Sequence, residues 1–140
     1  MKRDFFSALE QKNNDSPLAL AEVIDQLAFN EQGLIPVITQ DAHTQSVLMF
    51  AWMNKNALEQ TISTRRMTYW SRSRQQLWIK GETSGCWQTL LDMSFDCDGD
   101  AILCEVEQHE AACHTGRKSC FYLRVEADKQ HVRITENNER

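Results

Sequence analysis

Three cysteines in the second half of the chain stand in unusually polar surroundings. Cys97 lies among the aspartates of residues 96–100, and Cys113 and Cys120 bracket a segment that begins with His114. Thiolates are soft ligands that suit zinc, whereas carboxylates are hard ligands that suit magnesium or calcium. Both kinds of ligand in one short region therefore indicate metal chemistry.

The aspartates alternate with other residues, which gives their spacing a structural meaning. If the preceding strand continues in extended form, Asp96, Asp98 and Asp100 share one face and Cys97 points to the other. Three carboxylates on one face repel each other unless a cation lies between them, which predicts Mg²⁺ or Ca²⁺ there. An EF-hand loop is disfavoured because Ala101 stands where that loop needs glycine. The simpler alternative is an acidic turn between two strands.

The cysteine spacing by itself leaves a metal site and buried, inert thiols both open, because no CxxC pair is present. Three thiolates without a fourth protein ligand would leave a coordination position open for water, as in catalytic zinc sites. His114 is interpreted as a fourth ligand, a general base or a core histidine. Cys104 alternates with apolar residues and is predicted to lie in the core, while the role of Cys86 is undetermined.

Two basic stretches are candidates for binding an anion. Arg72 and Arg74 alternate along a predicted strand, which would point both cations to one side. The segment 80–85 contains Lys80, the hydroxyls of Thr83 and Ser84, and backbone amides freed by glycine. Phosphate would suit both stretches. The alternative is a solvated hairpin with ordinary arginines.

Helices and strands that would position these residues can be read from the hydrophobic pattern. Ser16 and Pro17 are typical of a helix start, which predicts a helix over residues 17–30. Asn54 or Asn56 is expected to cap a second helix that ends near Arg66. Strands are predicted at residues 34–39, 46–53, 68–73, 77–80, 87–95, 101–106 and 120–125.

The order of these elements predicts an α+β fold in which an antiparallel β-sheet predominates and one or two helices are added. A chain of 140 residues fits a single domain. We divide it into an N-terminal segment with a helix (1–32), a core (33–125) and a charged tail predicted to be flexible (126–140).

Composition excludes several classes of partner. A net charge of −5 disfavours nucleic acid, although a small anion needs only a few local cations. No apolar run approaches the ~20 residues of a membrane span, and the N-terminal residues lack a signal-peptide pattern, so we expect a cytoplasmic protein without a membrane partner. Five cysteines, an odd number, favour free thiols or metal ligands over disulfides.

Four motifs occur in an order typical of one enzyme family. They are Tyr-Trp-Ser-Arg-Ser-Arg at 69–74, Leu-Trp-Ile-Lys-Gly-Glu-Thr-Ser-Gly at 77–85, Asp-Cys-Asp-Gly-Asp at 96–100, and Ala-Cys-His-Thr-Gly through Ser-Cys-Phe at 112–121. Together they resemble the phosphoribosyl-AMP cyclohydrolases of histidine biosynthesis. The resemblance implies hydrolysis of the N1–C6 bond in the adenine ring of 1-(5-phosphoribosyl)-AMP, which gives the ring-opened formimino-aminoimidazole carboxamide ribonucleotide.

The resemblance also implies a set of ligands. In this family three cysteines contributed across the interface of an intertwined homodimer hold zinc, and aspartates hold magnesium. Carried over by motif, the zinc ligands are Cys97, Cys113 and Cys120, and the magnesium ligands are Asp96, Asp98 and Asp100. The chain departs from the family at Cys86, where a histidine usually follows Thr-Ser-Gly.

The expected mechanism follows from this ligand set. Zinc-bound hydroxide would attack C6 while His114 moves the proton. The two phosphates of the substrate would be held by Arg72, Arg74, Lys80, Thr83 and Ser84. The alternative function is a non-catalytic, zinc-stapled dimeric binding protein. A redox thiol protein is disfavoured without CxxC, and a cytidine-type deaminase lacks its His-x-Glu and Pro-Cys-x-x-Cys frame.

Overall fold

The structure, a computed structural model, describes residues 2–136, with side chains from residue 4 onward. Two helices are followed by two strands, a third helix and six further strands, an α+β order that confirms the predicted class. The helices are α1 (Lys2–Leu9), α2 (Leu20–Gln26) and α3 (Lys55–Thr64). The strands are β1 (Ile35–Asp41), β2 (Val47–Met53), β3 (Thr68–Ser71), β4 (Gln76–Ile79), β5 (Gln88–Phe95), β6 (Ile102–Gln108), β7 (Leu123–Glu126) and β8 (His131–Ile134).

Helix α2 is shorter than the predicted helix over residues 17–30. The Ser16 hydroxyl does not cap it but donates to the Asn13 carbonyl oxygen in the preceding turn. At the other end Leu27 has an extended backbone, and the Ala28 N–H donates to the Gly99 carbonyl oxygen. Tertiary hydrogen bonding therefore ends the helix where its hydrophobic periodicity continues.

Helix α1 was not predicted, and it is held by a contact that is remote in sequence. Its buried Phe6 packs against Gly99 in the turn between β5 and β6. A side chain at Gly99 would collide with the Phe6 ring, and the positive φ of 69° also favours glycine there. The turn and α1 therefore fit together only because this position lacks a Cβ atom.

The central sheet has the strand order β2-β1-β6-β5. Strands β1 and β2 form the predicted antiparallel hairpin, β5 and β6 are also antiparallel, and β1 and β6 are parallel. Asp41 closes the β1–β2 turn, since its carboxylate accepts hydrogen bonds from the N–H groups of His43 and Thr44. Helix α3 begins at the predicted cap Asn54, whose side chain accepts from the Ala57 N–H.

The β3–β4 hairpin packs beside the sheet and places Tyr69 in the core. Tyr69 is fully buried, and its hydroxyl donates to Gln88 and pairs with Thr39. Gln88 continues this network to Gln108, which in turn donates to the Cys86 carbonyl oxygen. No buried side-chain nitrogen or oxygen within residues 4–136 lacks a hydrogen-bond partner, so this polar core is fully satisfied.

The tail predicted to be flexible from residue 126 contains a strand. Strand β8 pairs antiparallel with β7, and the Thr135 N–H closes the hairpin on the Tyr122 carbonyl oxygen. Val132 and Ile134 alternate with polar residues, which is a strand pattern that the high charge of the segment obscured. The rest of that prediction, residues 137–140, lies outside the described residues. No helix within the described range is long and apolar enough to cross a membrane.

Candidate functional site

One pocket brings together seven of the residues that the sequence singled out. It has a volume of about 720 Å³ and lies between strand β4, the loop after it and the segment 111–116. A cavity of this size suits a small-molecule ligand. Its walls include Arg74, Lys80, Thr83, Ser84, Cys86, Cys113 and His114.

The loop 80–87 forms one wall of the pocket, and its shape depends on Gly81. The φ of Gly81 is 81°, and a side chain there would collide with the backbone of Cys86 and Trp87. The Gly85 N–H donates to the Gly81 carbonyl oxygen, which closes the loop. The Trp87 ring is stacked on His109 with 4.4 Å between ring centroids. The loop that carries the Thr83 and Ser84 hydroxyls is therefore fixed at its base.

Cys113 and Cys120 are brought together by the loop between them. The Cys113 N–H donates to the Arg117 carbonyl oxygen, which folds the segment back on itself. The Cys120 N–H donates to the Leu48 carbonyl oxygen at 2.7 Å, which anchors the end of the loop to the start of β2. As a result, the two thiols lie close enough for each to shift the pKa of the other.

The surroundings of this pair make one thiol more acidic than the other. Burial raises the pKa of Cys113, but hydrogen bonds, first those from the Thr115 hydroxyl at 3.1 Å and from the Thr115 N–H, outweigh it and lower the pKa below the ordinary value. Burial and the nearby Cys113 raise the pKa of Cys120 to about 11. Cys113 is therefore the more readily deprotonated of the two, and its thiolate suits a soft metal ion.

Lys80 interacts more directly with the segment that carries Cys113 than with the open pocket. Its side chain is buried, and its ammonium group donates to the Ala112 carbonyl oxygen at 2.8 Å while lying over the Trp78 ring. Its charge lowers the pKa of Cys120 and so opposes the effect of burial. Lys80 was expected to hold phosphate, but here it fixes the cysteine loop and favours thiolate.

Cys97 lies in the turn between β5 and β6, and this turn corrects a prediction. The segment 96–100 is not extended, because β5 ends at Phe95 and the Gly99 N–H donates to the Asp96 carbonyl oxygen. Asp96, Asp98 and Asp100 therefore lie in one tight turn rather than on one face of a strand, and their side chains, which are among the described residues, are not grouped closely enough to hold a metal ion. Glycine at position 99, with its positive φ, makes that turn possible.

Two of the three aspartates interact directly. Burial raises the pKa of Asp96, but hydrogen bonds from nearby backbone N–H groups, that of Asp100 first, lower it overall. A hydrogen bond with the Asp96 carboxylate raises the pKa of Asp100. The Asp96 carboxylate therefore makes Asp100 harder to ionise, and a nearby cation would offset that effect.

The turn with Cys97 and the cysteine pair lie at opposite ends of the central sheet. Cys120 is anchored beside Val47, which pairs with Gln40 at the end of β1. The β5–β6 turn precedes Ile102, which pairs with Val37 near the start of β1. Val37 and Gln40 are three residues apart along β1, a distance of about 10 Å. Cys97 lies still further from Gln40 than Val37 does.

One copy of the chain therefore cannot bring the predicted zinc ligands together. Among the described residues, no three His, Cys, Asp or Glu side chains are grouped closely enough to hold a metal ion. Cys97 is exposed, so a second molecule can reach it. A site made of all three cysteines requires two copies of the chain.

The two arginines are also separated, which corrects another prediction. Strand β3 ends at Ser71, so Arg72 and Arg74 lie in the turn that follows and not on one side of a strand. The Arg72 guanidinium stacks on the Trp52 ring at 5.0 Å, whereas Arg74 lines the pocket. Of the two, the structure places only Arg74 where a pocket ligand can meet it.

The remaining predictions concern single residues. His114 is exposed on the pocket wall, so it is not a core histidine. Cys104 is fully buried, as predicted, and burial raises its pKa to about 12. Cys86 lines the pocket that Cys113 also lines. Thr115 was missed as a site residue, although its position two residues after a cysteine is typical of a hydroxyl that bonds to the preceding side chain.

Comparison with known proteins agrees with the four motifs. The family model described as phosphoribosyl-AMP cyclohydrolase matches residues 49–122. Proteins of that name from Alcanivorax borkumensis and Granulibacter bethesdensis are 49% and 51% identical to this chain. The alignments cover 88% and 84% of this chain and 87% and 91% of those proteins. A third, from Roseobacter denitrificans, is 56% identical over 72% of this chain and 79% of its own length. The chain therefore belongs to the phosphoribosyl-AMP cyclohydrolase family.

Proposed function

We propose that this protein is a zinc-dependent homodimeric enzyme that hydrolyses the N1–C6 bond in the adenine ring of 1-(5-phosphoribosyl)-AMP. The observation that carries the proposal is the shared pocket. Phosphate-binding candidates on the loop 80–85 face the same cavity as Cys113 and His114. A purely structural metal site would not need a cavity of about 720 Å³ beside it.

Zinc suits the donor set that the chain offers. Cys113 and Cys120 are close enough to shift each other's pKa, and thiolate sulfur is the ligand that zinc prefers. Cys97 of a second copy would complete the set, since it lies at the far end of the sheet in its own chain. When bound, zinc supplies Lewis acidity that lowers the pKa of water toward ~7.

The residues of the pocket would bind and orient the substrate. Arg74 and the hydroxyls of Thr83 and Ser84 hold one phosphate, and the loop closed at Gly81 fixes their spacing. Lys80 donates one of its three N–H groups to Ala112 and contributes positive charge to the pocket. Fixing a phosphate end positions the adenine ring toward Cys113.

His114 would move the proton. As water attacks C6, an oxygen–C6 bond forms and the imidazole takes the proton from the water. The N1–C6 bond then breaks, C6 becomes the carboxamide carbon, and the proton passes to N1. An imidazole ring can both accept and donate a proton, so it is suited to both steps.

Magnesium would bind the acidic turn through Asp96, Asp98 and Asp100. Asp96 and Asp100 share a hydrogen bond that a hard divalent cation would replace. Cys97 lies in this same turn, so in a dimer the turn would approach the partner's pocket. When bound, magnesium supplies positive charge that would offset a substrate phosphate.

The cytoplasm is the proposed compartment. All five cysteines are free thiols, which fits a reducing environment.

The proposal is tested by assaying purified protein with 1-(5-phosphoribosyl)-AMP and Mg²⁺ while following the ultraviolet change on ring opening. Turnover should disappear after chelation and return when zinc is added. A folded protein that binds zinc but leaves the substrate intact would contradict the proposal. That result would support the alternative of a zinc-stapled binding protein.

A further inference from the structure

A second cavity shares a wall with the pocket that contains Cys113. It has a volume of about 350 Å³, and residues 79–84 line both the pocket and this second cavity. Arg66 and Trp87 line only the second cavity, whereas Arg74 lines only the pocket. Each of the two spaces therefore has an arginine of its own beside the same loop.

The Arg66 guanidinium is held by an aromatic stack. It lies 4.5 Å from the centroid of the Trp87 ring, which is itself stacked on the His109 ring. The His109 N–H donates to the Trp87 carbonyl oxygen, so the backbone also fixes this stack. No described carboxylate lies within ion-pairing distance of Arg66. Stacking therefore orients the guanidinium and leaves its N–H groups for a ligand.

Lys80 brings positive charge to both spaces. Its side chain is buried and donates one N–H to the Ala112 carbonyl oxygen, but no described carboxylate is paired with it. A buried cation is stabilised by a counter-charge, which a ligand phosphate would supply. Glu82 also lines both spaces, so each is lined by two Lys or Arg side chains and one carboxylate. The balance of charge in each space favours an anion.

The shared loop has donors that the described part of the chain does not use. The Gly85 N–H donates to the Gly81 carbonyl oxygen, but the N–H groups of Thr83 and Ser84 between them donate to no described residue. The Ser84 hydroxyl oxygen accepts from the Cys86 N–H at 3.1 Å, which leaves its own proton to donate. Successive unused N–H groups in a turn suit a phosphate.

We infer that Arg66 and the second cavity form a second anion site, which takes one phosphate of the substrate while Arg74 and the pocket take the other. The inference rests on the proposed function, which supplies a substrate with two phosphates. Ribose groups on N1 and N9 carry them at opposite sides of the adenine ring, so one anion site cannot hold both. Two sites joined by one loop would hold both ends and fix the ring between them.

Steady-state kinetics of charge-removing variants test the inference. Arg66→Gln should raise the KM for 1-(5-phosphoribosyl)-AMP about tenfold or more and change kcat less than about threefold, because it removes a charged hydrogen-bond donor from substrate binding alone. The matched control is Arg65→Gln, since Arg65 lines neither space. It should change KM less than about twofold, because salt screens exposed charges that do not touch the ligand. An unchanged KM in Arg66→Gln, or an equal rise in both variants, would overturn the inference.

A double variant distinguishes two anion sites from one. If the arginines hold different phosphates, the KM of Arg66→Gln/Arg74→Gln should rise by the product of the two single effects, within about twofold. AMP carries only one of the two phosphates, so its inhibition constant should rise about tenfold or more in only one of the single variants. A rise in both or in neither would overturn the inference. A double variant whose KM does not exceed that of the more affected single variant would do the same.

Turnover by the unmodified, zinc-loaded chain is measured first. An active enzyme whose KM does not respond to Arg66→Gln would refute the second anion site and leave the proposed function intact. A folded, unmodified chain that leaves the substrate intact would refute the proposed function, and the inference would fail with it.

Discussion

The Thr115 hydroxyl donates a hydrogen bond to the Cys113 sulfur at 3.1 Å, and this contact lowers the pKa of Cys113 against the effect of burial. It forms in a loop that backbone hydrogen bonds fold back and anchor to β2, which also brings Cys120 close to Cys113. The loop therefore favours the thiolate form of Cys113, which is the form that binds a metal ion.

Replacing either cysteine of this pair should remove zinc and activity together. In Cys113→Ser or Cys120→Ser one of three protein thiolates is lost, so we expect turnover to fall at least ~100-fold. Zinc content measured by mass spectrometry should fall in parallel. Cys86→Ser is the matched control, because Cys86 lines the same pocket outside the proposed ligand set. Full turnover in zinc-free Cys120→Ser would refute the assignment.

His114→Gln should separate chemistry from metal binding. The exposed imidazole on the pocket wall is proposed to move the proton, and its loss should lower kcat by ~10²–10⁴-fold while zinc content stays unchanged. Steady-state kinetics and metal analysis on the same preparation check both expectations. If zinc is lost with activity, His114 is a ligand or its support instead.

Asp98→Asn should weaken the dependence of activity on magnesium. The variant removes one carboxylate charge from the acidic turn. The Mg²⁺ concentration for half-maximal turnover should therefore rise ~10-fold. Asp128→Asn, a carboxylate in the 3₁₀ turn between β7 and β8, is the control. An unchanged Mg²⁺ titration in Asp98→Asn would count against a magnesium site at the turn.

Asp41 should make the stability of the fold depend on pH in the acidic range. Burial raises its pKa, but hydrogen bonds from the Thr44 and His43 N–H groups lower it overall below the ordinary value of 3.8. Because the folded pKa lies below the unfolded one, this stabilisation is present above about pH 4 and is lost as pH falls through the folded pKa.

The size of this effect is that of a capping interaction, about 1 kcal/mol. Urea unfolding of the intact chain and of Asp41→Asn between pH 3 and 6 measures it. The asparagine variant keeps an acceptor oxygen but cannot titrate, so its stability should change less across this range. Parallel pH profiles for the two proteins would refute the role of Asp41.

Local signals predicted most of the sheet and much of α3. The β1–β2 hairpin, the start of α3 at Asn54, and strands β5 and β6 follow from alternation and capping, which act over a few residues. Helix α1 was not predicted because it is held by the contact of Phe6 with Gly99, two residues that lie 93 positions apart in the sequence. The early end of α2 likewise comes from a hydrogen bond between Ala28 and Gly99.

The candidate site, like the fold, could be predicted from the sequence only in part. Residue type and motif were enough to predict that Cys113, His114 and the loop 80–85 carry chemistry. The pocket brings them together. The turn at 96–100 could not be predicted, and neither could the separation of Arg72 from Arg74. In both places the alternation of residue types typical of a strand continues in the sequence after the strand has ended. The distance between Cys97 and Cys113 depends on sheet order, which sequence spacing does not contain.

The central claim, an active site shared between two copies, is tested most directly by the activity of a defined heterodimer. Cys97→Ser and Cys113→Ser chains carry different tags, are co-expressed, and the mixed dimer is isolated by sequential affinity steps. Each parent dimer should be inactive, while the mixed dimer retains one intact site of two and should recover about half of the unmodified activity. A Cys113→Ser and Cys120→Ser heterodimer, in which both sites are damaged, should stay inactive. An inactive Cys97→Ser and Cys113→Ser heterodimer that is folded and dimeric would contradict the shared site.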